Sequence, residues 1–165
     1  LLVAVLILSQ IINSNFTARE ALGEHSLETL ITWLHILSGL LLIAAGVIML
    51  IWMLVQRGFR WYFAWLTLDF RGIRNDVVQL TGLKLPQAHG GGIAATVQGL
   101  GVIALIAVAC SGGLWFLFNS TSLATPDLTR RVLHWHKFLT TFVEIYFYSH
   151  GAMGVLHILL SRYEK

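Results

Sequence analysis

Long apolar blocks separated by short polar ones dominate this chain. Four apolar stretches stand out, at residues 1–14, 29–56, 91–118 and 126–161. Crossing the hydrocarbon of a bilayer takes about 20 helical residues. The last three stretches are long enough, and the first reads as the outgoing part of a helix that began upstream of Leu1. Within lipid a backbone must satisfy its own polar groups, which leaves helices or closed barrels. The stretches lack the period-two alternation of barrel strands, so each is expected to be a helix. Thr125-Pro126-Asp127 is a helix start: a capping threonine, a proline in the first turn and an acid at the positive dipole end. The expected fold is all-α, an integral membrane four-helix bundle forming one domain over residues 1–165.

The connector at residues 57–90 is too long to be a plain turn. Its cluster Trp61-Tyr62-Phe63-Ala64-Trp65 reads as an interfacial anchor, and residues 70–78 as a short amphipathic helix on the membrane surface.

Composition agrees with this pattern. Only 12% of the residues are charged and 56% are hydrophobic, with a mean hydropathy of +0.74. A soluble domain carries about 25% charged residues, so this chain has too little polar surface to face water on all sides. The net charge of +3 is too small to argue for nucleic acid. The lone Cys110 lies in an apolar run and reads as a packing residue. Basic residues set orientation. Arg57, Arg60, Arg71, Arg74, Lys84, Arg162 and Lys165 fall on one side, against Arg19, Arg130, Arg131 and Lys137 on the other. The connector and the C-terminus are therefore expected inside.

Histidines carry the chemistry. His35, His136 and His150 lie within apolar stretches, where an ionisable group is costly and implies a function. The second and fourth helices run in the same direction, and His35 and His136 each sit a little over one turn from their outer ends. Two imidazoles facing each other at one depth are a natural axial pair for a haem iron. His150 follows His136 by fourteen residues. That places it about 40° away around the helix and about 21 Å further along it, so one helix offers a ligand near each membrane face. Gly39 and Gly46 share the face of His35, and Gly154 follows His150 by four, giving clearance for a flat plate. His150 needs a partner near the inner face. A histidine upstream of Leu1 is the expected one; His89, at the entry to the third helix, is the fallback ligand or otherwise a contact for a propionate or a quinone. His134 and His25 read as interfacial or solvated. His157 lies on nearly the same face as His150, seven residues further in and too far from His136 to replace it, with a cofactor or quinone contact as its minor reading; Glu144 points off the line of His136 and His150, with a proton relay as its minor reading.

Trp33-Leu-His35-Ile-Leu-Ser-Gly39, the spacing of His136 and His150, and the connector segment Phe70-Arg-Gly-Ile-Arg-Asn-Asp76 with Gly82-Leu-Lys together resemble the bacterial cytochrome b561 superfamily, which includes the b-type cytochrome subunits of Ni/Fe-hydrogenases and formate dehydrogenases. The resemblance covers nearly the whole chain. It implies a bundle holding two b haems, one between helices two and four (His35 with His136) and one between helices one and four (His150 with a residue not in this sequence). It also implies a multi-pass protein of the bacterial inner membrane that passes electrons between an outer redox protein subunit and the quinone pool, as the electron-transfer subunit of a membrane oxidoreductase complex. A related branch works alone as a superoxide:quinone oxidoreductase, which is the alternative expectation here. Arg130, Arg131 and Lys137 would supply its cationic outer funnel, opposed by Glu20, Glu24 and Glu28. A third reading has no cofactor, only a membrane anchor whose histidines hydrogen-bond between helices.

Overall fold

A computed structural model describes residues 2–17 and 27–163, excluding the side chains of residues 156–158 and 160–163. Every regular element among these residues is helical: α1 (Leu2–Asn13), α2 (Leu27–Arg57), α3 (Phe59–Phe63), α4 (Arg71–Thr81), α5 (Ile93–Ser120) and α6 (Pro126–Tyr163), with 3-10 turns at Ser14–Phe16 and Ala64–Thr67. Local chemistry explains the boundaries. Thr125 Oγ1 accepts the Leu128 N–H at 3.3 Å at the start of α6. Asp127 in the same turn ion-pairs with Arg131 at 2.8 Å, an i,i+4 contact. α2 ends at Gly58, whose φ of 78° is a conformation few other residues tolerate. The connector expected to lie along the interface holds two helices, α3 and α4, and its amphipathic segment is α4.

The chain divides into two compact units, and both α2 and α5 contribute to each. The first comprises Leu1–Ala45 and Ala104–Lys165. Its helices meet through polar groups as well as apolar packing. Gln10 on α1 donates to the His35 carbonyl at 3.0 Å and to the Ser38 hydroxyl on α2. Trp33 on α2 packs edge-on against Phe116 on α5, with ring centres 5.7 Å apart. Gly113 on α5 lets Ile43 and Leu40 of α2 approach closely. Ile36, Leu42, Leu105, Val108, Ala109 and Val143 are buried among these helices. Polar side chains that hydrogen-bond across helices are the usual way such groups are accommodated away from water.

The second unit is Gly46–Ile103. Met53, Tyr62, Phe63, Ala95 and Val102 form its core. Asp76 on α4 is 2% exposed and accepts two hydrogen bonds of 2.7 Å, from the His89 Nε2–H and from the Ile93 N–H. The second of these satisfies a free donor at the start of α5 and places a negative charge at its positive dipole end. The Gly91 N–H donates to the Trp61 carbonyl at 2.8 Å, which ties the entry of α5 to α3.

α2 and α5 are long and apolar enough to cross a membrane, and Leu2–Phe16 is a shorter apolar helical stretch. Burial identifies their solvent. Only 22% of the most apolar window of α2, and 33% of that of α5, is buried inside the protein. Leu34, Leu37, Ile48, Ile51 and Trp52 all point outward from α2. The core helix of a water-soluble protein would bury such residues. An apolar surface this continuous is stable against lipid.

Candidate cofactor site

The first unit encloses a cavity of about 380 Å³. α1, α2, α5 and α6 all contribute to its wall, which is mostly apolar and includes Gly39, Leu105, Ala109, Gly112, Trp115 and Val143. His35 of α2 and His136 of α6 both line it. Their ring centres are 6.4 Å apart, and the ring planes are inclined at 82°.

Each ring is fixed by its Nδ1. The His35 Nδ1–H donates to the Asn13 side-chain carbonyl on α1 at 2.7 Å. The His136 Nδ1–H donates to the Val108 carbonyl on α5 at 3.0 Å and lies 3.1 Å from the Ser111 hydroxyl oxygen. An acceptor at Nδ1 holds the proton there and leaves the Nε2 lone pair free, the arrangement that metal-binding histidines adopt. Among the described residues neither Nε2 has a hydrogen-bond partner. Gly112 makes room for the second ring, because a Cβ at that position would come within 2.9 Å of His136 Cε1.

Distances test what this pair can hold. A metal–imidazole bond of about 2 Å puts the ring centre about 3 Å from the metal, so two rings on opposite sides are separated by about 6 Å. The observed 6.4 Å fits an axial pair. Among the described residues no group of three or more His, Cys, Asp and Glu side chains could hold a bare metal ion. Two imidazoles without further protein ligands suit a metal whose other positions are filled by a macrocycle. The Trp115 indole N–H is buried, lies in a residue of the cavity wall and has no partner among the described residues, so a donor is available there for a ligand's acceptor group.

The other candidate residues are distributed differently. Gly39 lines the cavity, and a Cβ there would make only ordinary contact with Gln10. Gly46 is buried and falls in the second unit, outside the cavity wall. His150 is exposed, and Tyr146 stacks on it at 5.2 Å between ring centres; no second imidazole meets it among the described residues. A Cβ at Gly154 would meet nothing within 4 Å. His89 has both nitrogens engaged, Nε2 with Asp76 and Nδ1 with the Gly90 carbonyl at 3.1 Å, so in this arrangement it has no lone pair to offer a metal. His134 packs edge-on against Trp135. Glu144 is half-buried, with no hydrogen bond or ion pair among the described residues. His25 and the His157 side chain lie outside the described residues.

Sequence reasoning passed over Gln10, Asn13, Ser111, Gly112 and Trp115. The signal for several was present. Asn13 and Ser111 are polar residues at the end or in the middle of an apolar run, and Gly112-Gly113 is a small-residue pair in the third stretch. Such positions in a membrane helix invite a search for the group they serve.

Neither curated proteins nor solved structures yielded a match to this chain. The prokaryotic cytochrome b561 family matches it over residues 1–163. With that extent of match, helices whose apolar faces require lipid and a histidine pair spaced for an axially held iron, the chain belongs to the prokaryotic cytochrome b561 family, whose members are membrane proteins that bind b-type haem.

Proposed function

We propose that this protein is a dihaem, multi-pass cytochrome of the bacterial inner membrane, built as a four-helix bundle, that carries electrons between a redox protein at the outer face and the quinone pool. The observation that carries the reading is the His35–His136 pair, with ring centres 6.4 Å apart and each Nδ1 committed to an acceptor on a neighbouring helix. A b haem bound there supplies an iron that changes oxidation state by one electron.

The protein's own residues do the rest. His35 and His136 are the residues that would hold the haem iron, each through its Nε2. Asn13 and the Val108 carbonyl fix the tautomers and raise the basicity of both rings. The apolar wall excludes water, which strengthens these interactions and keeps the site dry. Trp115, through its indole N–H, which has no partner among the described residues, and Lys137, through its ammonium, are wall residues suited to acidic groups at the ligand's rim. His150, further along α6, belongs to the second level. Quinone would exchange electrons near that inner level.

The stand-alone superoxide reading finds less support. Arg130 and Arg131 both ion-pair with Asp127, at 3.7 and 2.8 Å, which weakens the cationic funnel that an anionic substrate needs.

The test is optical. The purified full chain, reduced with dithionite, should show a b-type α band that is lost in part in His35→Ala and in His136→Ala. A spectrum without that band, or haem content equal to wild type in both variants, would end the proposal.

A further inference from the structure

A second hollow lies wholly within the second unit, with a volume of about 520 Å³. Its wall includes Arg57 at the end of α2, Arg60 on α3, Arg71 at the start of α4, and His89. Asp69 is the acid in that wall. Arg71 grips Asp69 through two hydrogen bonds of 2.9 Å. Arg60 lies 3.7 Å from the same carboxylate. Hydrogen bonding from Arg71 holds the Asp69 carboxyl down at about 2, so it stays ionised. Arg57 has no anion among the described residues, and its guanidinium sits 4.7 Å over the Trp61 ring. Three guanidiniums thus face one carboxylate, and both nitrogens of His89 are already engaged, by Asp76 and the Gly90 carbonyl. Asp76, the partner of His89, is not in the wall.

The hollow opens to solvent, and the Arg60 and Arg71 side chains are 73% and 81% exposed. Here the guanidiniums are preplaced, one by a ring and two by a shared acid, around a space large enough for a ligand. Guanidinium forks match the oxygens of a phosphoryl group. The surroundings indicate where that group comes from. Trp61 lines the hollow, Trp65 lies close to it in sequence, and Phe59, Leu66 and Leu68 beside them are exposed apolar side chains. Aromatic and apolar residues next to basic ones mark the headgroup level of a membrane, where the abundant anion is a lipid phosphate.

We infer that the hollow formed by Arg57, Arg60 and Arg71 binds a phosphoryl oxyanion, the chemistry shared by an anionic phospholipid headgroup and by free phosphate. Asp69 is its internal competitor: it positions Arg71 and offsets part of the charge that the ligand would otherwise meet.

Binding is measured on the full chain in detergent by native mass spectrometry. The probes are short-chain phosphatidylglycerol and, separately, inorganic phosphate. The double variant Arg57→Gln/Arg60→Gln should lose about 30-fold in affinity, since each basic residue near such a headgroup contributes about a fivefold factor. Asp69→Asn should bind several-fold more tightly. A loss confined to phosphatidylglycerol identifies the source as lipid, and a loss that extends to inorganic phosphate identifies a soluble oxyanion. The inference is overturned if the double variant binds both probes as wild type does while retaining wild-type helix content, or if Asp69→Asn weakens binding of both probes while remaining folded.

Discussion

His136 and His150 stand on the same helix, fourteen residues apart, yet their surroundings differ completely. Around His136, α5 supplies a carbonyl and a hydroxyl to its Nδ1, Gly112 clears space for its ring, and α2 brings His35 to within 6.4 Å. Around His150 the described residues offer one stacked tyrosine from its own helix. The contrast teaches that a histidine in an apolar helix is only half of a ligand site. The other half is built by helices distant in sequence, which orient the ring, choose its tautomer and bring the opposing ligand. His89 marks the opposite limit, since its neighbours occupy both nitrogens and make it a structural clasp.

Several measurements would break or sharpen that contrast. The largest effect belongs to the ligands. Under the dihaem reading, His136→Ala and His150→Ala should each reduce haem from about two to about one per chain, counted by pyridine haemochrome. Unchanged haem in His150→Ala would restrict the protein to the His35–His136 level. Replacing Gly112 by Ala should come next. The new Cβ has no room beside the His136 ring, so haem affinity at this level should fall by at least about tenfold. Gly154→Ala, with open space around it, should leave the haem content of the first level intact.

Asn13→Ala should cost about tenfold in haem affinity by removing the acceptor at His35 Nδ1. It should also raise the midpoint potential of the haem at that level, because a less basic imidazole stabilises the oxidised iron less. Potentiometric titration separates this from a packing defect, which would alter occupancy without that direction of shift.

The smallest effect concerns His89. Its hydrogen bond to Asp76, and secondarily that to the Gly90 carbonyl, raises its pKa above the ordinary 6.5. The charged form is therefore favoured by folding. Its contribution to stability is complete below the ordinary imidazole value and is lost as pH rises through the raised one. Thermal unfolding of the whole chain should show a modest decline in Tm over that window, and His89→Gln should flatten it. An equal slope in the variant would remove His89 from the account.

Much of the fold could be read from residue order. Apolar stretches near the length of a bilayer dictate membrane helices, since no other open structure satisfies its backbone in lipid. Thr125-Pro126-Asp127 announced the start of α6 because capping is local chemistry. The pairing of His35 with His136 was also accessible, because depth along parallel helices follows from counting residues. Other features were hidden. Asn13 reads as the tail of an apolar run, and only the packing of α1 against α2 makes it the partner of His35. Asp76 reads as one charge in a polar connector, yet it is buried and bridges His89 to the first turn of α5.

Residue order alone determined the solvent of this protein, the places where its helices run and the depth at which imidazoles occur, because hydrophobic periodicity and rise per residue act within one segment. Tertiary structure alone decided which imidazoles have a free Nε2, which is silenced by two partners, and which arginines line a common hollow. Those outcomes depend on the rotation of one segment against another, and that rotation is set by side chains tens of residues apart whose contacts have no imprint in local sequence.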